Sequence, residues 1–204
     1  MKKGLLLVVS GPAGSGKGTV NAKLLQSPEY AFSVSLTTRA PRPGEVDGVN
    51  YRYVSHEYFK QMISEDALLE YTCYCDNFYG TPLKEALEIM ESGRNLILEI
   101  EVEGALNVKR VYPDAVLIML LPPSFAVQEQ RLRGRGTETE EKICKRLETT
   151  RKELLMLSHY DYVVYNRDGG AEACADEIRA IVRAEQASTK RHPNASAAYF
   201  ESKS

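Results

Sequence analysis

The segment Gly11–Thr19 constrains this chain more than any other part of the sequence. It reads GPAGSGKGT and joins an apolar run, Leu5–Ser10, to a helical pattern marked by Val20 and Leu24. Small residues let backbone N–H groups turn inward around a phosphate, and the helix that follows points its positive end at the same place. Lys17 can reach the outer phosphates as a point charge. The sequence therefore predicts a strand, a phosphate-binding loop and a helix that together bind a nucleoside triphosphate.

The position after Lys17 departs from the usual pattern of such loops. Ser or Thr normally stands there as a magnesium ligand, whereas this chain has Gly18, followed by Thr19. We therefore predict no dedicated metal site and expect Mg²⁺ to arrive with the nucleoside triphosphate near these two residues. A glycine-rich turn that binds nothing is disfavoured, because the flanking strand and helix are present. The predicted triphosphate-binding residues of the loop are Gly11, Pro12, Ala13, Gly14, Ser15, Gly16, Lys17, Gly18 and Thr19.

Composition and charge exclude several classes of protein. The chain has 204 residues with a net charge of −2, so nothing points to a nucleic-acid partner. The sequence has no apolar run near the roughly 20 residues that span a bilayer, which argues against a membrane protein. The start Met1–Lys3 resembles a short signal peptide, but the apolar run that follows leads into the loop and is read as a strand. Cys73 and Cys75 fit no standard zinc spacing, so we expect reduced thiols in a cytoplasmic protein.

Strand and helix signals alternate along the chain, which predicts an α/β core with a parallel sheet flanked by helices. The predicted core strands are Leu5–Ser10, Asn95–Glu101, Ala115–Leu121 and Tyr162–Tyr165. The predicted helices are Lys17–Gln26, Pro82–Ser92 (capped by Thr81), Ser124–Arg133, Thr139–Leu157 and Ala171–Gln186. The core is expected to comprise residues 1–34, 80–130 and 142–187, interrupted by a small mixed α/β insertion at 35–79 and a short charged lid at 131–141. Residues 188–204 show no clear pattern and are expected to form a flexible tail.

Two arginines stand three residues apart in a loop stiffened by proline. Arg39 and Arg42 lie within Thr37–Glu45, and two guanidinium groups can hold one phosphate from two sides. Prolines reduce the conformational entropy that such a loop loses when it binds a ligand. Taken alone, the same residues favour a solvated basic turn over a phosphate site.

Several separated motifs together resemble guanylate kinase. They are Ser33–Glu45, Tyr51, Asn77–Thr81 and Arg133–Glu138, and the resemblance runs from about Leu5 to about Glu185. The resemblance implies a phosphate-loop core, an insertion that binds the nucleoside monophosphate, and a lid. It also implies transfer of the γ-phosphoryl group from ATP to GMP, with dGMP as an untested alternative acceptor.

The resemblance assigns the GMP-binding residues by position. It implies that Arg39, Arg42, Tyr51 and Tyr79 hold the GMP phosphate, and that Ser35, Glu70, Thr81 and Glu101 read the guanine base. The carboxylate of Glu70 suits this role, because it can accept from guanine N1–H and the 2-amino group together, and adenine offers neither donor there. The family usually has Asp-x-Asp where this chain has Glu99-Ile100-Glu101, and strand alternation would put Glu99 and Glu101 on one face.

The resemblance also assigns the ATP side. Arg131, Arg135 and Arg146 match arginines that approach the ATP phosphates when the lid closes, and Asn166 matches a position that contacts adenine. The predicted catalytic residues are Lys17, Arg39, Arg135 and Arg146. Arg167 stands where the family often has Asp, so the adenine side departs from the pattern there. We expect the ligand-free enzyme to be open and to close on GMP and ATP.

Two other functions remain open on the sequence. Some guanylate-kinase-like domains bind phosphopeptides instead of catalysing transfer, but those have a degraded phosphate loop, whereas Lys17 is present here. A kinase for another nucleoside monophosphate could use the same core, and Glu70 with Ser35 argues for guanine.

Overall fold

A parallel five-stranded sheet forms the core of the molecule. The structure is a computed structural model that describes residues 3–74, 76–134, 136 and 139–201. The strands are β1 Leu6–Ser10, β2 Tyr30–Phe32, β3 Leu36–Thr37, β4 Arg52–Tyr53, β5 Leu68–Tyr74, β6 Asn77–Pro82, β7 Asn95–Glu99, β8 Val116–Leu121 and β9 Tyr162–Tyr165. The helices are α1 Lys17–Leu24, α2 His56–Ser64, α3 Leu83–Glu91, α4 Val102–Val111, α5 Phe125–Gly134, α6 Glu140–Leu154, α7 Ala171–Ala187 and α8 Ala195–Glu201. The core sheet has the order β2-β7-β1-β8-β9, with all neighbouring pairs parallel, which confirms the predicted α/β class.

Strand β1 is buried on both faces because helices cover both sides of the sheet. Leu7 and Val9 pack in one cluster with residues of α1 and α7, whereas Leu6 and Val8 pack in another with residues of α3 and α4. Successive side chains of a strand point to opposite faces, so one apolar run supplies both cores. The carboxyl end of β1, where the phosphate-binding loop begins, is therefore fixed from both sides.

The insertion has its own sheet and a small core. Its strand order is β4-β3-β6-β5, with β3 and β4 parallel and the other pairs antiparallel. Phe59 of α2 is fully buried and its ring stacks on Phe78 with centroids 5.2 Å apart. The sequence indicated strands at Tyr51–Val54 and Leu68–Cys73 and a short helix after Ser55, which correspond to β4, β5 and α2. The short strands β2 and β3 were not predicted, because two or three residues carry no readable alternation, and the six-residue strand β6 was not predicted either.

Two sequence-based boundaries were wrong, and one helix was missed. Thr81 does not cap the following helix, since Pro82 is the N-cap residue and Thr81 lies in β6. Strand β7 ends at Glu99, so strand alternation does not extend to Glu101, which is the N-cap residue of α4. Helix α4 was missed because Gly104 and several polar residues obscure its apolar face.

Helical structure is present within the predicted tail and at both ends of the predicted lid. The tail contains a 3₁₀ turn at Thr189–Arg191 and the short helix α8. Arg131 and Arg133 belong to α5, and α6 begins at Glu140, so helix occupies both ends of the predicted lid. Arg135, Thr137 and Glu138 lie outside the described residues, as does Cys75. None of the helices in the described part of the chain is long and apolar enough to cross a membrane.

Candidate active site

The loop between β1 and α1 has the backbone that its glycines permit. Gly14 and Gly16 have φ angles of 85° and 90°, and Gly16 is the N-cap residue of α1. A Cβ atom on Gly16 would lie 2.3 Å from Nδ2 of Asn166. Side chains rarely adopt such φ angles, so glycine at position 16 serves both the turn and the close approach of Asn166.

Side chains of the loop itself and of other parts of the fold bind the carbonyl groups of this loop. Lys17 Nζ donates to the Gly11 carbonyl, and Asn166 Nδ2 donates to the Ser15 carbonyl at 2.8 Å. Arg131 donates to the Gly14 carbonyl at 3.3 Å, to the Asn166 carbonyl at 2.8 Å and to the Asp168 carboxylate at 2.8 Å. Arg131 and Asn166 thus hold the loop in this structure. Their predicted contacts with ATP stay a prediction, and Arg131 would have to exchange partners to reach a phosphate.

A cavity of about 660 Å³ opens beside the loop. Gly14, Thr19, Arg131, Asn166 and Arg167 are among the residues that line it. Pockets of this size hold small ligands. The structure therefore brings together the residues that the sequence assigned to the nucleotide-binding loop and those assigned to the adenine side.

The insertion holds a further cationic side chain, Arg39, which lies among acidic and aromatic residues. Its guanidinium makes two hydrogen bonds to Glu45, of 3.0 and 2.9 Å, and lies over the rings of Tyr51 and Tyr53 at 5.6 and 6.0 Å. Tyr53 also donates its hydroxyl to Glu45 at 2.8 Å. These hydrogen bonds, above all from Arg39, lower the pKa of Glu45 to about 2 and raise that of Arg39. The Nε atom of Arg39 is buried and has no hydrogen-bond partner within the described residues.

The remaining phosphate-side residues surround this group. Tyr79 packs edge-on against Tyr51 with centroids 5.9 Å apart. Arg42 is exposed, and its backbone N–H donates to Glu45 at 2.7 Å. Sequence reasoning missed Glu45 and Tyr53 as site residues. Glu45 stood inside the motif that was quoted, but its spacing from Arg39 gave no sign that the two side chains pair.

Glu70 is a buried acid whose side-chain hydrogen-bond partner among the described residues is Thr81. It is 6% exposed, and its Oε1 accepts a hydrogen bond of 2.9 Å from Thr81 Oγ1. Burial disfavours the charged carboxylate and raises the pKa of Glu70 to about 7, although the Thr81 hydrogen bond acts in the opposite direction. The opposite wall is Gly104 of α4, where a Cβ would lie 3.4 Å from Glu70 Oε2. Glu70 and Thr81, both assigned to the base, are thus in direct contact.

Acidic groups lie between the two nucleotide regions. Glu99 accepts a hydrogen bond of 2.8 Å from Asn21 of α1, and its charge also acts on the Tyr51 hydroxyl. Glu153, at the end of α6, has a pKa raised to about 7 by burial and then by Glu101, whereas Lys17 acts to lower it. Sequence reasoning missed Glu153, because in a highly charged helix nothing distinguishes it from solvated residues.

The other predicted residues are less closely packed. Ser35 precedes β3, and its carbonyl accepts from the Arg52 backbone N–H at 2.9 Å. Arg146 lies on the exposed face of α6. Arg135, predicted to be catalytic, lies outside the described residues. Among the described residues, no three His, Cys, Asp or Glu side chains are grouped so that they could hold a metal ion.

Comparisons with known proteins agree on one family. The family model for guanylate kinase matches residues 3–185. A guanylate kinase of Halalkalibacterium halodurans is 51% identical over 191 residues, which cover 93% of each chain, and one of Clostridioides difficile is 47% identical over 195 residues, covering 95% of this chain and 94% of the relative. The crystal structure of guanylate kinase from Anaplasma phagocytophilum superposes with a TM-score of 0.74 at 34% identity, over 94% of this chain and 90% of that one.

Proposed function

Since the chain belongs to the guanylate kinase family and is therefore an enzyme that transfers a phosphoryl group to GMP, we propose that the donor is ATP. The γ-phosphoryl group passes to GMP, and the products are ADP and GDP. The observation that supports this proposal is that the fold presents two separate cationic side chains in settings that suit phosphates, one on the core and one on the insertion. A phosphate-binding loop with Lys17 lies at the end of β1, and Arg39 with its tyrosines lies in the insertion.

We propose that GMP binds in the insertion. Arg39, Arg42, Tyr51 and Tyr79 hold its phosphate, and the Arg39 Nε atom supplies an unpaired donor. Glu45 is a positioning residue, because two hydrogen bonds fix the Arg39 guanidinium plane. Ser35, Glu70 and Thr81 face the base, and the ionised Glu70 accepts from both guanine donors. Glu99 and Glu101 lie between the insertion and the core.

We propose that ATP binds on the loop. The backbone N–H groups of Gly14–Thr19 and the N-terminus of α1 receive the phosphates, and the cavity lined by Asn166 receives the adenine. Lys17, Arg131, Arg135 and Arg146 neutralise charge on the phosphates. Phosphoryl transfer depends mainly on positioning and charge stabilisation, and the attacking GMP phosphate is already an anion, so no general base is needed.

The residues present suit Mg²⁺ that arrives with ATP. Gly18 and Thr19 are exposed at the start of α1, and the Thr19 hydroxyl is an oxygen ligand of the kind that Mg²⁺ prefers. When bound, the ion supplies charge neutralisation on the phosphate oxygens.

A coupled assay of ADP release tests the proposal. With ATP and Mg²⁺ present, GMP should support turnover, whereas AMP, UMP and a sample without acceptor should give little. Equal turnover of GMP and AMP would remove the assignment of Glu70 to the base. Turnover of GMP with another triphosphate but not with ATP would refute the donor, and no turnover with any donor, despite binding of a phosphopeptide, would favour a binding module.

A further inference from the structure

A buried glutamine connects the phosphate-binding loop to the helices that flank the lid. Gln128 of α5 is 1% exposed and Thr150 of α6 is 2% exposed. Gln128 Nε2 donates to the Ala13 carbonyl at 3.0 Å and to Thr150 Oγ1 at 2.7 Å, and Thr150 Oγ1 donates to the Arg146 carbonyl at 3.0 Å. The amide therefore uses both of its protons, and the hydroxyl accepts one hydrogen bond and donates another.

Apolar contacts hold this polar pair in place. Leu132 of α5 packs with Ile143 and Leu147 of α6, and Ala13 of the loop packs against the same cluster. Buried polar side chains cost stability unless their hydrogen bonds are made. The Ala13 side chain thus packs against both helices, and the Ala13 carbonyl accepts a hydrogen bond from Gln128 of α5.

The Ala13 carbonyl matters because of the geometry of the peptide bond. In a planar trans peptide the C=O and the following N–H point in opposite directions. A hydrogen bond that holds the Ala13 carbonyl against α5 therefore aims the Gly14 N–H away from α5. Arg131 and Asn166 act in the same way on the next two carbonyls, those of Gly14 and Ser15. Three side chains together fix consecutive peptide planes of the loop.

We propose that Gln128 is a positioning residue for the donor nucleotide: it fixes the Ala13–Gly14 peptide of the phosphate-binding loop and, through Thr150, ties that peptide to the helix that carries Arg146. The proposal rests on the function proposed above, in which ATP binds this loop. A displacement of α6 would be transmitted to the loop along this path. Because Gln128 is 1% exposed and bonds to the Ala13 carbonyl, its effect on ATP passes through the loop backbone.

The matched variants are Gln128→Met, Thr150→Ala and Thr150→Ser. Methionine keeps the length of the side chain and removes both donors, alanine removes the hydroxyl, and serine retains it. For Gln128→Met we expect the KM for ATP and the Kd for a fluorescent ATP analogue to rise about tenfold, while the KM for GMP stays within twofold. Thr150→Ala should give a smaller rise, Thr150→Ser should behave as the wild type, and the double variant Gln128→Met/Thr150→Ala should match Gln128→Met alone.

The selectivity for ATP separates positioning from a merely structural role. An unchanged Kd for the ATP analogue in folded Gln128→Met, or an equal loss of affinity for both nucleotides, would overturn the proposal. If Gln128→Met fails to fold, Thr150→Ala against Thr150→Ser carries the same test. If the wild type binds the analogue without phosphorylating GMP, and Gln128→Met weakens that binding, then the proposed function fails and the role of Gln128 stands.

Discussion

Glu70 should make the recognition of GMP depend on pH in the range where most enzymes are assayed. The pKa of this buried carboxyl is about 7 in the ligand-free protein. Guanine presents two donors, so only the ionised form accepts both. About nine-tenths of Glu70 is ionised at pH 8 and about one-tenth at pH 6, so the kcat/KM for GMP should fall about tenfold between those values.

The variant Glu70→Gln isolates this titration from the others. The GMP phosphate also titrates near pH 6, and Glu153 has a pKa of about 7, but both are unchanged in the variant. The amide of the variant has one acceptor and presents an NH₂ group to a guanine donor. The activation free energy obtained from kcat/KM for GMP should therefore rise by roughly 2–4 kcal/mol at pH 8, with the KM for ATP little changed. The ratio of wild type to variant should therefore shrink about tenfold from pH 8 to pH 6. A ratio that stays constant across this range would refute the reasoning.

The same shift has a signature in stability. The folded pKa of Glu70 lies above the value of 4.5 of an ordinary carboxyl, so the folded state binds the proton more tightly. The protonated Glu70 side chain thus contributes to the free energy of unfolding, fully below pH 4.5 and less and less as pH rises through 7. The difference between 4.5 and about 7 in pKa corresponds to roughly 3 kcal/mol of this free energy. Glu70→Gln should consequently raise the free energy of unfolding relative to the wild type at pH 8 and much less at pH 5, as measured by urea titration without ligand.

Further predictions concern the phosphate-binding residues and the closure of the enzyme. Lys17→Ala should lower kcat by about 10²-fold or more with the fold retained, measured by steady-state kinetics and circular dichroism, and near-normal kcat would remove Lys17 from its role. Glu45→Gln should raise the KM for GMP several-fold and leave the KM for ATP unchanged, because the Arg39 guanidinium loses its charged partner. The control is Glu57→Gln, the same substitution at an exposed position of α2. Small-angle scattering should show a more compact enzyme with a bisubstrate mimic than without ligand, and equal compactness in both states would contradict the expected closure. Arg135→Ala should lower kcat with little change in GMP affinity.

The core of the fold could be predicted because its signals are local. The apolar run before Gly11 and the glycine spacing of the loop identify a strand, a turn and a helix within 20 residues. The four predicted core strands match β1, β7, β8 and β9 to within two residues at each end. The short strand β2 and the helix α4 could not be predicted, because their residues become recognisable only when the sheet supplies the surface that they cover.

The residues of the site could be predicted from the sequence, but the side chains with which they form hydrogen bonds could not. The resemblance assigned Arg39 and Glu70, but the pairing of Arg39 with Glu45 depends on the conformation of the loop between β3 and β4, and that of Glu70 with Thr81 depends on the pairing of β5 with β6. Arg131 illustrates the limit most clearly. The resemblance assigns it as a lid arginine, whereas in this structure it donates to the Gly14 carbonyl of the phosphate-binding loop and to Asp168, which lies 37 positions away.

The cost of burying Glu70 is itself part of the specificity. In the empty site the carboxylate has Thr81 as its side-chain partner, and burial favours the neutral acid. Guanine brings two donors, so its binding stabilises the charged form and should release a proton near pH 7. Adenine brings no donor to those positions and would leave a buried charge unpaired, but the neutral acid could donate to adenine N1. Discrimination between GMP and AMP should therefore narrow as pH falls in the wild type. In Glu70→Gln, whose amide is a donor at every pH, that discrimination should already be reduced at pH 8.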